Sequence, residues 1–244
     1  VSTRSVWKYL DDGSNQGTAS DGTNWFAHPN FNDLNWRQGP AELGYGDAYQ
    51  GRPEGTVINS GPGGGHFITS YFRHSFDVSN ASEYSRMYLR LLRDDGAVVY
   101  LNGVEVVRSN MPSRDIDYLT RANSNMSGNA ESTFTEFSVD ASLLSNGTNV
   151  LAAEIHQASP TSADVSFDLE LAGIIPSQGA GKLMPGMNRI IVETFDGPDG
   201  MGKKLKDGYV DIWYDDGDVA EISGALGSDT TLDAALSDIK LATR

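Results

Sequence analysis

The chain has 244 residues, enough for one large domain with something small beside it, and its 39% apolar and 9% aromatic content can fill a core. Its 27 glycines, set among many Ser, Thr and Asn, indicate a loop-rich all-β protein. A net charge of −15 argues against nucleic acid and anionic membrane as partners, and the lack of Cys excludes disulfides, thiolate chemistry and Cys-built zinc sites.

Membrane insertion is not expected, since no run approaches the roughly 20 apolar residues of a span. No signal peptide opens the chain, which begins at Val1-Ser2-Thr3 as a mature or excised fragment would. Residues 5–10 (SVWKYL) read as a first strand, stopped by Asp11-Asp12-Gly13-Ser14. A polar loop follows through Asn24, and residues 31–36 (FNDLNW) read as a short helical turn with Phe31, Leu34 and Trp36 inward. Residues 51–65, rich in Gly, Pro and Asn, read as a long surface loop. Residues 67–78 (FITSYFRHSFDV) alternate, placing Ile68, Phe72, Phe76 and Val78 toward a core and Tyr71, Arg73 and Ser75 on the other face.

The centre of the chain, residues 89–107 (LRLLRDDGAVVYLNGVEVV), reads as an antiparallel meander. Asn102-Gly103 between β-branched runs is a strong hairpin signal, because a type I′ turn needs positive φ at both central residues. Asp94-Asp95-Gly96 serves as a second tight turn. Further on, Asp140 caps a one-turn helix at ASLL. Residues 149–157 put Leu151 and Ile155 on one face and Glu154 and His156 on the other. Residues 165–173 alternate Val165, Phe167, Leu169 and Leu171 against Ser166, Asp168 and Glu170. Strands at this spacing with turn residues between them imply a sandwich. The composition then changes. Residues 1–175 form the main unit, 176–181 (PSQGAG) a short linker, and 182–244 a small β-unit or the start of a further domain cut short.

Several stretches carry a family resemblance: WKYLDDGSNQG (7–17), FNDLNWRQGPAELGYGD (31–47), SYFRHSFDV (70–78), LRLLRDDGAVVYLNGVEVVRSNMP (89–112), ESTFTEFSVDASLLSNGTNVLAAEIHQ (131–157) and SPTSADVSFDLEL (159–171). Together they resemble a galactose-binding-like, carbohydrate-binding-module-like β-sandwich, as appended to secreted bacterial hydrolases, calcineurin-like phosphoesterases and surface proteins. The resemblance implies an antiparallel jelly-roll sandwich, an extracellular bacterial setting (secreted or cell surface), a parent chain longer than this one, and in many members a structural calcium ion. Residues 183–200 and 208–219 resemble a small β-unit that follows such modules.

Enzyme signatures are missing. There is no G-x-S-x-G elbow, no H-E-x-x-H and no phosphate-cradling Gly loop before a helix. His28, His66, His74 and His156 are scattered, and nothing fixes two carboxylates at the roughly 5–10 Å spacing of a glycosidase. The sequence is therefore read as non-catalytic. Its expected role is a carbohydrate-binding module holding a larger extracellular protein to polysaccharide, with a structural or adhesive spacer, or a hydrolase fragment carrying its own active site, as alternatives. The expected ligand groups are Tyr71, Arg73, Glu154, His156 and Gln157 on a shallow groove, Trp25 as an exposed stacking platform, and Asp94 and Asp95 at the rim. Trp36 and Tyr45 are expected as plugs under the loops, and Trp7 and Trp213 as core. For Ca2+, hard oxygen donors cluster at Asp11, Asp12 and Asn15, with Asp94-Asp95, Asp196–Asp199 and Asp215–Asp218 as further turns of suitable composition.

Overall fold

Alternation of apolar side chains produces two sheets that share one core. The computed structural model describes residues 1–17, 23–48, 51–63 and 65–175, together with the backbone of three later strands. In chain order the strands are β1 (Val6–Leu10), β2 (Arg37–Pro40), β3 (Leu43–Tyr45), β4 (Thr56–Val57), β5 (Thr69–Val78) and β6 (Arg86–Asp94). They continue as β7 (Gly96–Leu101), β8 (Val104–Ser109), β9 (Thr135–Val139), β10 (Gly147–His156) and β11 (Val165–Ile174). One sheet has the order β2-β1-β5-β10-β7-β8, the other β4-β3-β11-β6-β9. Every pairing is antiparallel except the short parallel contact of β3 with β4.

The sheets face each other through the predicted apolar sets. Phe72 of β5, Leu151 and Ile155 of β10, and Val99 and Leu101 of β7 meet Leu89 and Leu91 of β6 and Phe167 and Leu169 of β11, all buried. Phe167 spans the gap, stacking on Phe72 at 4.3 Å and meeting the Trp7 ring edge-on at 5.0 Å. Each such side chain contributes about 1.5–3 kcal/mol by leaving water. The protein is thus an all-β sandwich.

Two expectations are corrected. Asp94-Asp95-Gly96 does not close a hairpin: β6 and β7 belong to different sheets, so Asp95 carries the chain across the sandwich. A turn signal reports a local change of direction and is silent on which strands then pair. Residues 31–36 form turns and no helix, and Leu34 is 85% exposed. The Asp33 carboxylate is drawn inward by Arg73 and Lys8, which rotates its neighbour Leu34 outward.

The Asn102-Gly103 hairpin joins β7 to β8 with positive φ at both residues (51° and 87°). Asp140 caps the 3-10 turn Ala141–Leu143 by accepting from the Ser142 amide.

The chain divides into two units, Val1–Pro176 and Ser177–Arg244. In the second, β12 (Gly186–Phe195), β13 (Lys204–Asp215) and β14 (Asp218–Leu226) form a three-stranded antiparallel sheet in that order. The linker 176–181 and residues 196–199 and 216–217 lie outside the described residues, as does the Trp213 side chain.

Candidate functional site

The outer face of the six-stranded sheet holds most of the residues expected to bind sugar. Adjacent strands β5 and β10 pair Ala152 with Arg73, Glu154 with Tyr71 and His156 with Thr69, so the predicted set does come together. It is not an open groove. Tyr71, Arg73, Glu154, His156 and Gln157 are all buried: the segment at residues 24–36 lies over Tyr71 and Arg73, whereas His156 lies against Thr69 and Thr120, and Gln157 against Tyr45 and Asp164.

Trp25, expected as an exposed platform, is 4% exposed and is corrected to a plug. Its ring meets Tyr71 edge-on at 4.8 Å and lies 6.3 Å from Trp36, which has the plug role expected of it. The protein's own aromatic rings occupy the surface a pyranose would otherwise cover.

Beneath these rings the polar groups bond to protein partners, although Arg73 Nη1, His156 Nε2 and Gln157 Oε1 are buried without a hydrogen-bond partner. Arg73 donates from Nε to Asp33 (3.1 Å) and from Nη2 to the His28 carbonyl (3.1 Å), with its guanidinium 5.2 Å from the Phe31 ring. Burial lowers the Arg73 pKa, and the Asp33 hydrogen bond opposes that. Tyr100 donates to Glu154 at 2.7 Å. Burial, followed by the Glu154 charge, raises the pKa of both Tyr71 and Tyr100. His156 Nδ1 lies 2.7 Å from the Thr120 carbonyl, which can only accept, so Nδ1 carries a proton. Its Nε2 sits 3.2 Å from Glu154 Oε2 but outside hydrogen-bond geometry. Gln157 donates to the Tyr45 hydroxyl and the Asp164 carbonyl, both at 2.9 Å. Tyr45 is thereby held under the loops as expected, and burial raises its pKa to about 12.

At the crossover, Asp95 is a strut and not a rim: it is 1% exposed, and its carboxylate accepts from the Met126 and Ala158 amides and the Ser162 hydroxyl. Asp94 is equally buried. Desolvation, with the Asp95 charge added, raises its pKa to about 9.

Beside it stands a group that sequence reasoning missed: Asp47 after β3, Glu131 in the 3-10 turn Gly128–Ser132, and Asp164 ahead of β11. Burial raises the pKa of Glu131, Asp164 and the nearby Glu42. Single acids separated by dozens of residues form no motif, so the sequence carries no signal for this group.

The residues expected to bind a cation form a different feature. Asp11 is buried and takes Arg37 and the Asn59 amide on one oxygen. Asp12 accepts from the Ser14 amide and hydroxyl, and Asn15 from the Gly17 amide, as turn-forming side chains do. These oxygens are committed to protein donors. They edge a cleft of ≈ 420 Å³ lined by Tyr9, Leu10, Asp11, Asp12, Asn35, Arg37 and Asn59. The Arg37 guanidinium lies 4.9 Å above the Tyr9 ring, and Asp12, Asn35 and Asn59 are exposed around it. Chemically the cleft offers a charged donor, two amides and the exposed Asp12 carboxylate beside the Tyr9 ring, in a volume within the roughly 300–1,000 Å³ of small-molecule sites. A second hollow, between Ala81–Glu83 and Ala141–Leu143, is lined by Ser82, Ser85, Ser142 and Asn146 together with Tyr84, Leu144 and two alanines, with Asp140 its lone charged group.

No protein-family model matches the chain, and no curated protein matches it. Among solved structures it is similar to a β-glucuronidase of Bacteroides uniformis (15% identity, TM-score 0.42), covering 91% of this chain and 26% of that one. It is also similar to a glycosyl hydrolase family 2 member of Bacteroides cellulosilyticus (12% identity, TM-score 0.42; 87% and 25% covered). A third likeness is to the β-glucuronidase of Ruminococcus gnavus (9% identity, TM-score 0.39; 91% and 43% covered). The chain thus spans about a quarter to two fifths of the length of these proteins. At such identities and scores, the likeness carries no argument about activity.

Proposed function

We propose that this chain is a non-catalytic carbohydrate-binding module that holds a larger extracellular protein against polysaccharide. The observation that supports the reading is the shallow cleft at the end of β1, where Arg37 lies over Tyr9 and Asp12, Asn35 and Asn59 face solvent. Sugar hydroxyls are both donors and acceptors, and this rim supplies carboxylate and amide acceptors beside guanidinium and amide donors. A cleft this small and open grips a short stretch of a glycan, so affinity per site is weak and specificity comes from a few hydrogen bonds. Asp11 holds Arg37 in place from below, which leaves its remaining donors oriented before the ligand arrives.

Affinity electrophoresis of the whole chain through gels containing plant, algal and bacterial polysaccharides tests the reading. Retardation by at least one glycan, relieved by free oligosaccharide of the same kind, is expected. Unchanged mobility in every gel overturns it.

One observation favours a second reading, a structural or adhesive spacer: the broad outer face of the six-stranded sheet is already covered by Trp25, Phe26, Phe31 and Trp36. Under that reading the cleft is a surface irregularity, and no glycan retards the protein.

A further inference from the structure

We propose that Asp47, Glu131 and Asp164 bind one calcium ion at the end of the sandwich where β3, β6 and β11 meet. Each offers a carboxylate oxygen, and the three lie within 4.8 Å of one another. Two oxygens bound to the same calcium at about 2.3–2.6 Å can be at most about 5.2 Å apart, so the spacing already fits one ion. The donors are all hard oxygens with no His or Cys among them, which selects a hard cation over zinc or copper.

A second observation points to a missing partner. Asp47 is 1% exposed, and its Oδ2 is taken by Arg52 Nη2 and the Ser166 hydroxyl, both at 2.5 Å. Its Oδ1 is buried and has no donor at all. Buried carboxylate oxygens are almost always hydrogen-bonded or bound to a cation, because desolvating them otherwise goes uncompensated. Arg52 does not fill the place: its Nη2 serves Asp47 Oδ2, Glu42 and Ser166, leaving Asp47 Oδ1 unpaired.

The ligand spacing is set by the sheet. Gly46, with φ of 105°, lies so close to the segment leading into β11 that a Cβ there would come within 2.7 Å of the Ala163 carbonyl and of Asp164 Cβ. This contact, next to the β3–β11 pairing, holds Asp47 and Asp164 side by side. Glu131 then closes the site from the Gly128–Ser132 turn, so a bound ion ties that turn to the sheet end. The cluster shares no residue with the Tyr9–Asn59 cleft, and the two proposals stand or fall separately.

The test is calorimetric and thermal titration of the whole, chelator-treated chain with CaCl2, alongside MgCl2 and the variants Asp164→Asn and Glu131→Gln. The wild type is expected to bind about one Ca2+ and to melt at a higher temperature when loaded. Both variants should bind at least about tenfold more weakly. Removing one of several crowded charges favours the metal-free fold, so their unloaded melting temperature should equal or exceed that of the wild type. No heat and no melting shift in the wild type up to roughly 10 mM, beyond the range of extracellular calcium modules, overturns the proposal. Undiminished calcium binding in both variants, or an equal response to magnesium, also overturns it.

Discussion

At the scale of single residues, buried polar groups govern this protein. Asp95 accepts from three donors on two separate loops, at residues 126 and 158–162. Asp95→Ala strands those buried donors and is expected to cost about 3 kcal/mol or more in urea unfolding, with the urea slope unchanged. A loss below about 1 kcal/mol would mean the loops find other acceptors. His74 is a second case. Burial lowers its pKa from 6.5, opposed by its hydrogen bond to the Val6 carbonyl. Below pH 6.5 the unfolded chain takes up a proton that the folded chain resists. The His74 contribution is therefore full above pH 6.5 and lost as pH falls from there toward the lowered folded value. His74→Gln should flatten the fall of melting temperature in that window; an unchanged slope would show that other groups set it.

At the scale of elements, the decisive feature is the covering segment at residues 24–36. Strand parity in the sequence correctly sets Tyr71, Arg73, Glu154 and His156 on one face of two strands, and these prove to be neighbours. It carries no information about what lies above that face. A loop rich in Asn, Asp and His reads as solvated, yet its four aromatic rings reach down and close the surface. Trp25→Ala should accordingly cost about 3–5 kcal/mol of stability, as loss of a buried large ring does. A variant as stable as the wild type would restore Trp25 as an exposed platform. The same limit explains Asp94-Asp95-Gly96: turn chemistry is local, while the passage from one sheet to the other depends on which strands recruit β6 and β7. Gly46 shows the reverse dependence. Its small size matters because of a segment more than a hundred residues away, and Gly46→Ala should destabilise the chain by prising the end of β3 from the segment leading into β11 at residues 163–164. Thermal unfolding reads this, and an unchanged melting temperature would refute the close approach.

At the scale of the whole molecule, the all-β class and the inward-facing sets were legible because period-two alternation is strong at residues 71–78 of β5 and 165–171 of β11, whereas β10 is an almost unbroken buried run. The acidic group at Asp47, Glu131 and Asp164 was not legible, since it is assembled from three separate loops. The cleft was half legible: Asp11 and Asp12 stand out in sequence, whereas Asn35, Arg37 and Asn59 join them through the pairing of β1 with β2 and the approach of the loop after β4. With a net charge of −15, the glycan expected at the proposed cleft is neutral or cationic and not a polyanion. Calorimetric titration of the whole chain with oligosaccharides tests the proposed glycan binding at that cleft most directly, using Asn35→Ala to remove a rim amide and Asn35→Trp to fill the space. Saturable binding in the wild type, weakened at least about tenfold in both variants at unchanged melting temperature, is the predicted result. Binding to no glycan, or binding that both variants leave intact, would contradict it.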